Sequence, residues 1–308
     1  MKKQLTLLPV IIICLTQTLV AATDVSGVIS SNTIWNVAGS PYIVTSSITI
    51  NNGVTLTVQS GVTVKFNDAL YMLVYGTLDA TGAVFTSNNA SPTPGIWSYI
   101  KTGGTTPTDA GTVIMNGCQV LWASYIDVYR GSNNLTNTDL LNFESYGAQI
   151  NALGTLTMTG GLIQTTSLWA SSYGSCIETN PNAHATLNGV TMKYAYCGIR
   201  LANNAGVDIT DVNITICKWP VWYAGSADLT VHGTNLFTGN VNTTVNMGFT
   251  SFSDTLILPK VNIPYFFPSG MTINSGGRMV IGSTNILKFQ LGTWLDVNGA
   301  LVADASEG

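Results

Sequence analysis

Residues 47–66 read SITINNGVTLTVQSGVTVKF. Three runs of alternating apolar and polar residues are separated here by Asn51-Asn52-Gly53 and Gln59-Ser60-Gly61. Alternation with a period of two is typical of β-strands with one buried face, and Asn and Gly favour the turns between strands. The pattern continues through Val84-Phe85-Thr86, and no stretch of comparable strength has helical spacing. The sequence therefore predicts an all-β fold.

Apolar residues in the middle of the chain recur at a fixed interval, which distinguishes a solenoid from a sandwich or a barrel. Two series mark this interval: Leu187, Ile209 and Val231, spaced by 22 and 22, and Ile177, Ile199 and Trp222, spaced by 22 and 23. A repeat of about 22 residues suits one turn of a three-sided parallel coil, whose stacked turns share a continuous core. We therefore expect a parallel β-helix with about 22 residues per rung.

A second, longer repeat relates the two ends of the chain. A shift of 223 aligns Pro41-Tyr42 with Pro264-Tyr265 and Lys65-Phe66 with Lys288-Phe289. The same shift aligns further residues, namely Val74, Gly76, Leu78 and Ala80 with Val297, Gly299, Leu301 and Ala303. The opening module therefore restarts near residue 260. Either the chain is a fragment of a longer multi-module protein or its last residues form a cap; the sequence favours the fragment, because Ser306-Glu307-Gly308 resembles neither a cap nor a sorting signal.

The N-terminus has the features of a secretory signal peptide. Met1-Lys2-Lys3 is basic, residues 5–19 are largely apolar, and Val20-Ala21-Ala22 places small residues where a signal peptidase cuts. We expect cleavage before Thr23 and a secreted or cell-surface location; a single anchoring helix is the alternative. The predicted organisation is a signal peptide over 1–22, an N-terminal cap over 23–46, a parallel β-helix over 47–258, and a truncated second copy of the opening module over 259–308.

Composition excludes several classes of partner. Only 8% of the residues are charged, and 11 Lys and Arg against 15 Asp and Glu give a net charge of −4. Such a chain has no basic surface for a phosphate backbone, so we expect no nucleic-acid partner. After the first twenty-odd residues no apolar run of about 18 residues occurs, so no membrane span is expected once the signal is cleaved. The oligomeric state stays open.

Four cysteines follow the signal peptide, and the even number permits two disulfides in an exported chain. They are Cys118, Cys176, Cys197 and Cys217. No C-x-x-C pair occurs, so zinc and thioredoxin-like chemistry lose their usual support. Burial as small apolar residues and a disulfide between neighbouring rungs are both open, with burial slightly favoured.

Three segments resemble exported bacterial right-handed parallel β-helix repeat proteins of the pectin-lyase-like class. They are Gly53-Val54-Thr55-Leu56-Thr57-Val58, Gly61-Val62-Thr63-Val64-Lys65-Phe66 and Gly76-Thr77-Leu78-Asp79-Ala80. Pro94-Gly95-Ile96-Trp97 resembles the Pro-Gly-Asp-Trp segment of that group, with Ile96 where Asp is usual. The resemblance covers 26–101 well and 260–308 in part. It implies the fold and a secreted or surface setting, but no activity, because the same helix carries lyases, hydrolases, adhesins and passive stalks.

The sequence shows no convergent acid and base set. The paired aspartates, Gly-His-Gly turn and Arg-x-Lys strand of acidic β-helix hydrolases are absent, and neither His184 nor His232 matches them. Asp127 with Arg130 is most simply a solvated or locally paired charge, and for Asp208 with Asp211 the simplest interpretation is an Asp that caps a turn by bonding a nearby backbone N–H. We predict no catalytic residue, no metal site and no cofactor.

The rung register provides one candidate ligand-binding site. If Ile177, Ile199 and Trp222 point inward, the residues that follow them form an outward column, namely Glu178, Arg200 and Tyr223. Adjacent rungs lie about 4.8 Å apart, which is salt-bridge distance for Glu178 and Arg200. The hypothesis is a polar track in which Tyr223 and nearby Trp219 offer ring faces to a sugar; an exposed ion pair among ordinary aromatics is the alternative.

These observations favour a secreted or cell-surface structural or adhesive β-helix protein without catalysis. Its expected partner is an extracellular polysaccharide or other matrix. The alternative is a polysaccharide lyase or glycoside hydrolase of the pectin-lyase-like class, whose catalytic residues are scattered over several rungs. The sequence leaves enzymatic activity uncertain and leans against it.

Overall fold

The computed structural model describes residues 22–165 and 174–304. These residues form an all-β, right-handed parallel solenoid of about twelve turns, with about 22 residues between rungs. The predicted fold class is confirmed. The predicted signal peptide lies almost entirely outside the described residues. Within the described residues, the helices are two short 3₁₀ turns, Val37–Gly39 and Pro107–Asp109.

The strands, in chain order, are β1 Thr23–Ile29, β2 Thr33–Trp35, β3 Tyr42–Ile50, β4 Thr55–Val58, β5 Thr63–Phe66, β6 Met72–Val74, β7 Thr77–Thr81, β8 Val84–Ser87, β9 Trp97–Thr102, β10 Gly111–Asn116, β11 Gln119–Leu121, β12 Ala123–Thr136, β13 Asp139–Leu141, β14 Tyr146–Thr159, β15 Leu162–Gln164, β16 Ser175–Thr179, β17 His184–Asn188, β18 Thr191–Lys193, β19 Cys197–Leu201, β20 Gly206–Thr210, β21 Asn213–Thr215, β22 Trp219–Tyr223, β23 Asp228–His232, β24 Val245–Met247, β25 Ser251–Phe252, β26 Thr255–Leu258, β27 Tyr265–Phe267, β28 Met271–Ile273, β29 Arg278–Gly282, β30 Leu287–Phe289, β31 Leu295–Val297 and β32 Ala300–Asp304.

Each turn stacks its strands in parallel on those of the turn before. β3 pairs with both β5 and β6, and β4 pairs with β7. Alternate residues of each strand point into one continuous core, so that Val64, Phe66, Leu78 and Ala80 are completely buried. The alternation read from residues 47–66 is therefore the inside-outside pattern of the solenoid.

One of the two sequence columns is correct and the other is wrong at its last member. Leu187, Ile209 and Val231 are paired in register, as expected. Ile177 pairs with Ile199, but Ile199 pairs with Val221 and not with Trp222. The physical reason is that these turns keep a strict interval of 22 residues, without the extra residue that the sequence column assumed.

The 223-residue repeat forms equivalent strands at the two ends of the described chain. β27 to β32 reproduce the pairing of β3 to β7: Tyr42 pairs with Val64 as Tyr265 pairs with Leu287, and Thr55 pairs with Thr77 as Arg278 pairs with Ala300. β1 and β2 already stack on β3 and β4, and β3 crosses the predicted boundary at residue 46. The division into domains stays a prediction.

The four cysteines of the described residues are buried free thiols, and no disulfide joins them. Burial raises the pKa of Cys118, Cys176 and Cys197, whereas the neighbouring Cys176 thiol lowers the pKa of Cys217. The thiols therefore serve the packing of the core here. In the same described residues, no helix is long and apolar enough to cross a membrane.

Candidate functional site

The predicted column is present, with one correction. Glu178 of β16 pairs with Arg200 of β19, and Arg200 pairs with Trp222 of β22, all three on the outer side of the sheet. Tyr223 instead pairs with Leu201, points into the core and is 0% exposed. Its placement in the outward column is wrong because Val221 takes the inward position that the sequence assigned to Trp222. The ring available to a ligand at this point is therefore that of Trp222, which is half-buried.

Tyr223 is a structural residue of the core. Complete burial raises the pKa of its phenol well above the ordinary value, and its hydroxyl has no hydrogen-bond partner among the described residues. A buried phenol without a partner carries a desolvation cost, which the large apolar surface of the ring offsets. Tyr223 therefore cannot contact a ligand on the surface without unfolding of its turn.

Glu178 and Arg200 form an ion pair between adjacent turns, through Glu178 Oε1 and Arg200 Nη1. The second carboxylate oxygen, Oε2, accepts a hydrogen bond of 2.7 Å from the Ser175 hydroxyl. Glu178 is only 3% exposed, and this burial raises the pKa of its carboxyl, against the opposing effects of Ser175 and Arg200. The side chain of Arg200 is 36% exposed. Glu178 thus orients a guanidinium that keeps free N–H donors at the surface.

Four neighbouring aromatic side chains form what we call the aromatic cluster: Tyr196, Trp219, Trp222 and Phe266. Trp222 lies 5.6 Å from Tyr196 and 6.1 Å from Trp219 between ring centroids. The rings of Trp219 and Phe266 are nearly parallel, 12° apart in orientation, with centroids 6.3 Å apart. A cavity of about 250 Å³ beside them is also lined by residues 241–244. The Lys218 ammonium lies 4.6 Å from the Tyr196 ring.

A second row of rings continues along the same side of the solenoid toward its N-terminal end. This tyrosine ladder consists of Tyr71, Tyr99, Tyr125 and Tyr146, one from each of four successive turns, with centroid separations of 5.2, 5.8 and 6.1 Å. Partial burial raises the pKa of Tyr99, Tyr125 and Tyr146. Sequence reasoning missed the ladder because its members are 28, 26 and 21 residues apart. Loops of different length between the strands hide a repeat that is regular in space.

A buried polar network lies beside the ladder, in the same outward column as Glu178. Asp127 of β12 is 6% exposed, 3.4 Å from the Lys101 ammonium, and accepts a hydrogen bond of 3.0 Å from Asn151 Nδ2. Burial raises the pKa of Asp127 although Lys101 opposes the shift. Lys101 also lies 3.9 Å from the centroid of the Tyr129 ring. The expected pairing of Asp127 with Arg130 is not formed, since Arg130 donates to the carbonyls of Gly104 and Thr105.

Asp208 and Asp211 each contact a residue of a neighbouring turn. Asp211 accepts a hydrogen bond of 2.7 Å from the backbone N–H of Thr234 in the following turn, so it joins two turns and does not form the expected cap within its own turn. Asp208 lies 3.4 Å from His184 on the exposed side of the preceding turn. Neither aspartate belongs to the face described above.

The two buried carboxylates of this face lie on turns that are not adjacent. Asp127, Gln149 and Glu178 are paired in succession, so the two carboxylates are two turns, or about 10 Å, apart along the axis. Two-carboxylate glycoside hydrolysis uses separations of about 5 to 9.5 Å. Both carboxylates are also committed to a cation. Within residues 22–165 and 174–304, no group of three or more His, Cys, Asp or Glu side chains is placed to hold a metal ion.

Comparisons with models of protein families, with curated proteins and with solved structures found no match to this chain.

Proposed function

We propose that this chain is a secreted or cell-surface β-helix protein that binds an extended polysaccharide along the outer face carrying the tyrosine ladder and the aromatic cluster. The observation that carries the proposal is the row of rings repeated on successive turns, with hydrogen-bonding and charged side chains beside it. Because Tyr71 and Tyr99 stack on each other, the ladder offers a ligand mainly ring edges and phenol hydroxyls, and neighbouring polar groups fix its orientation.

The direction of the row favours a chain over a single sugar. Ring centroids 5.2 to 6.1 Å apart repeat along the solenoid axis, a spacing comparable with the length of one sugar unit. Each turn therefore offers a similar contact to each successive unit of a polymer. Many weak contacts of this kind add up only for a ligand that is long enough to span several turns.

The charged groups favour an adhesive role without catalysis. Lys101 and Arg200 are each held by a buried carboxylate, and such pairing keeps a cation in one position at the edge of the ring row. Both carboxylates are thereby withdrawn from a role as free acid or base. The predicted signal peptide, which ends immediately before β1, supports an extracellular setting in which polysaccharides are the abundant partners.

Affinity electrophoresis and calorimetry with a panel of neutral and acidic polysaccharides test the proposal. Trp219→Ala and Trp222→Ala are each expected to weaken binding roughly ten-fold, about 1.4 kcal/mol. Trp294→Ala is the matched control, because Trp294 is 58% exposed and lies outside the aromatic face. Equal losses in all three variants, or no binding to any member of the panel by the wild-type chain, would contradict the proposal.

A second set of variants distinguishes the contributions of the two ends of the face to binding. Arg200→Ala and Tyr99→Phe change the cluster end and the ladder end respectively, and affinity for long chains should fall in both. Affinity for short oligosaccharides should fall in only one of them, depending on where the oligosaccharide sits. Unchanged binding in both Glu178→Gln and Arg200→Ala would remove the ion pair from the site.

A polysaccharide lyase or glycoside hydrolase is the second candidate, and Asp127 and Glu178 are the groups that favour it, since both have raised carboxyl pKa values on one face. Incubation with the same panel distinguishes it. Release of reducing or unsaturated ends that is lost in Asp127→Asn would replace the adhesive proposal with an enzymatic one.

A further inference from the structure

A second outer face of the solenoid keeps an unbroken register over eight turns. Its strands are β4, β7, β10, β12, β14, β17, β20 and β23, and each pairs in parallel with the next. The register shift within β12 lies between Val128 and Arg130, before the part of the strand that belongs to this face. The outward side chains of these strands therefore form a regular lattice with rows along the strands and columns along the axis.

The middle of this lattice carries short, uncharged side chains. We define the threonine face as every second residue of 112–116, 132–136 and 155–159, which gives three rows of three on β10, β12 and β14. Five of the nine residues are Thr, and the other four are Ile114, Asn116, Ser132 and Asn134. All nine are exposed or half-exposed, and none is charged or aromatic. The row 155–159 has Thr at each of its three outward positions.

The threonine hydroxyls of this face are free to bond water in fixed positions. Among the described residues, the hydroxyls of Thr136, Thr157 and Thr159 have no protein partner, whereas Thr155 donates to the carbonyl of Gly131 at 3.3 Å. The β-branched side chain of Thr is stiff at χ1, so its methyl and hydroxyl lose little entropy on binding. Neighbouring positions repeat at about 4.8 Å along the axis and about 6.6 Å along a strand.

We propose that the threonine face binds the surface of ice crystals. A ligand for this face must be flat and uncharged, and it must repeat in two directions with similar spacings, as the water oxygens on the crystal planes of ice do. Hydroxyls then hold water at lattice positions, and the contacts of three rows add up because the crystal engages them together. Asp79, which pairs with Ile114, and Asp208, two turns beyond Thr157, mark the charged borders of the face.

This function is independent of polysaccharide binding, because it uses a different face of the solenoid. The threonine face has no ring for a sugar to contact, and the aromatic cluster has no comparable lattice of hydroxyls. The two proposals can therefore fail separately.

Thermal hysteresis, the gap between the melting and the freezing temperature of a seed ice crystal, tests the proposal on the full chain. The wild-type chain should produce a gap and should partition into growing ice. Thr157→Tyr places a ring at the centre of the lattice and should lower the hysteresis roughly five-fold at equal concentration, since contacts that act together are lost together. This variant should bind the polysaccharide panel as the wild type does, and Trp222→Ala should leave the hysteresis unchanged.

Two threonines of one turn provide a matched control. Thr186 of β17 lies beside Thr157 in the same lattice, and Thr191 of β18 lies on the adjacent face; both are half-buried. Thr186→Tyr should lower the hysteresis, whereas Thr191→Tyr should keep the wild-type value. Circular dichroism checks the sheet signal of each variant, and Thr157→Lys replaces a Thr157→Tyr protein that loses it.

Three results would overturn the proposal. The first is a wild-type chain that gives no hysteresis and is excluded from growing ice. The second is an equal loss of hysteresis in Thr186→Tyr and Thr191→Tyr, or full activity in folded Thr157→Tyr. The third is a loss in Trp222→Ala alone, which would assign ice binding to the aromatic cluster.

Discussion

The turn formed by β5 to β7 and the turn formed by β30 to β32 share their strand pairing and most of their inward residues, yet the first is buried and the second is half open. Phe66 and Phe289 occupy equivalent positions, and the exposed fraction rises from 0% to 39% between them. The difference comes from the neighbour on one side, since β8 to β10 cover only the first of the two turns. In a solenoid, a residue is buried by what stacks on its turn and not by its own sequence alone.

The largest expected difference between the two turns comes from replacing each phenylalanine separately with alanine. Phe66→Ala should lower the free energy of unfolding by about 3–5 kcal/mol, because it opens a cavity between Val44 and Trp97 in the closed core. Phe289→Ala should cost less than half as much, since Phe289 packs on one side only, against Phe267 at 4.8 Å. Urea denaturation of dilute protein measures both. Equal losses would mean that the two turns are equally covered in solution.

Substitution of two glycines tests the opposite side of the same turns. On that side both turns are covered, so the two substitutions should lower stability equally. A Cβ at Gly76 would collide with the carbonyl oxygens of Val54 and Asn51, and a Cβ at Gly299 would collide with those of Gly277 and Asn274. Both collisions are with the preceding turn, which is present in each copy. Gly76→Ala and Gly299→Ala should therefore each cost about 1–3 kcal/mol. A much smaller loss at Gly299 would show that the last turn is loosely held even on its covered side.

The smallest expected effect is a dependence of stability on pH that comes from a buried carboxylate of an interior turn. Burial raises the pKa of Asp127 above its unfolded value, so the folded chain binds the proton more tightly. Stability from this group is therefore complete below the unfolded pKa, near 3.9, and is lost as the pH rises through the folded pKa. Asp127→Asn should flatten this decline in the free energy of unfolding. Urea denaturation at a series of pH values measures this slope.

The candidate site was predictable only in part. The 22-residue interval was enough to place Glu178 beside Arg200, since an ion pair between adjacent turns needs only the correct register. The same reasoning put Tyr223 outside and Trp222 inside. Both are large aromatic residues next to each other, and hydrophobicity does not decide which of two such neighbours faces the core. The pairing of Val221 with Ile199 decides it.

The tyrosine ladder shows a different limit of sequence reasoning. Its members belong to successive turns, but loops of unequal length, such as residues 88–96 between β8 and β9, remove any fixed interval between them. Periodicity identifies residues that share a column only where the loops keep a constant length. Pairing of backbone N–H and C=O groups aligns the strands regardless of loop length, and so it brings Tyr71, Tyr99, Tyr125 and Tyr146 into one row.

The sequence by itself determined the class of fold, the length of a turn and the recurrence of the opening module. These properties depend on local alternation, turn residues and spacing, which are all properties of neighbours along the chain. Only the tertiary structure decided which aromatic rings face outward together, which carboxylates are buried beside a cation, and which copy of the module is covered. Those properties depend on residues from other turns, because stacking brings together side chains whose separation along the chain varies with every loop.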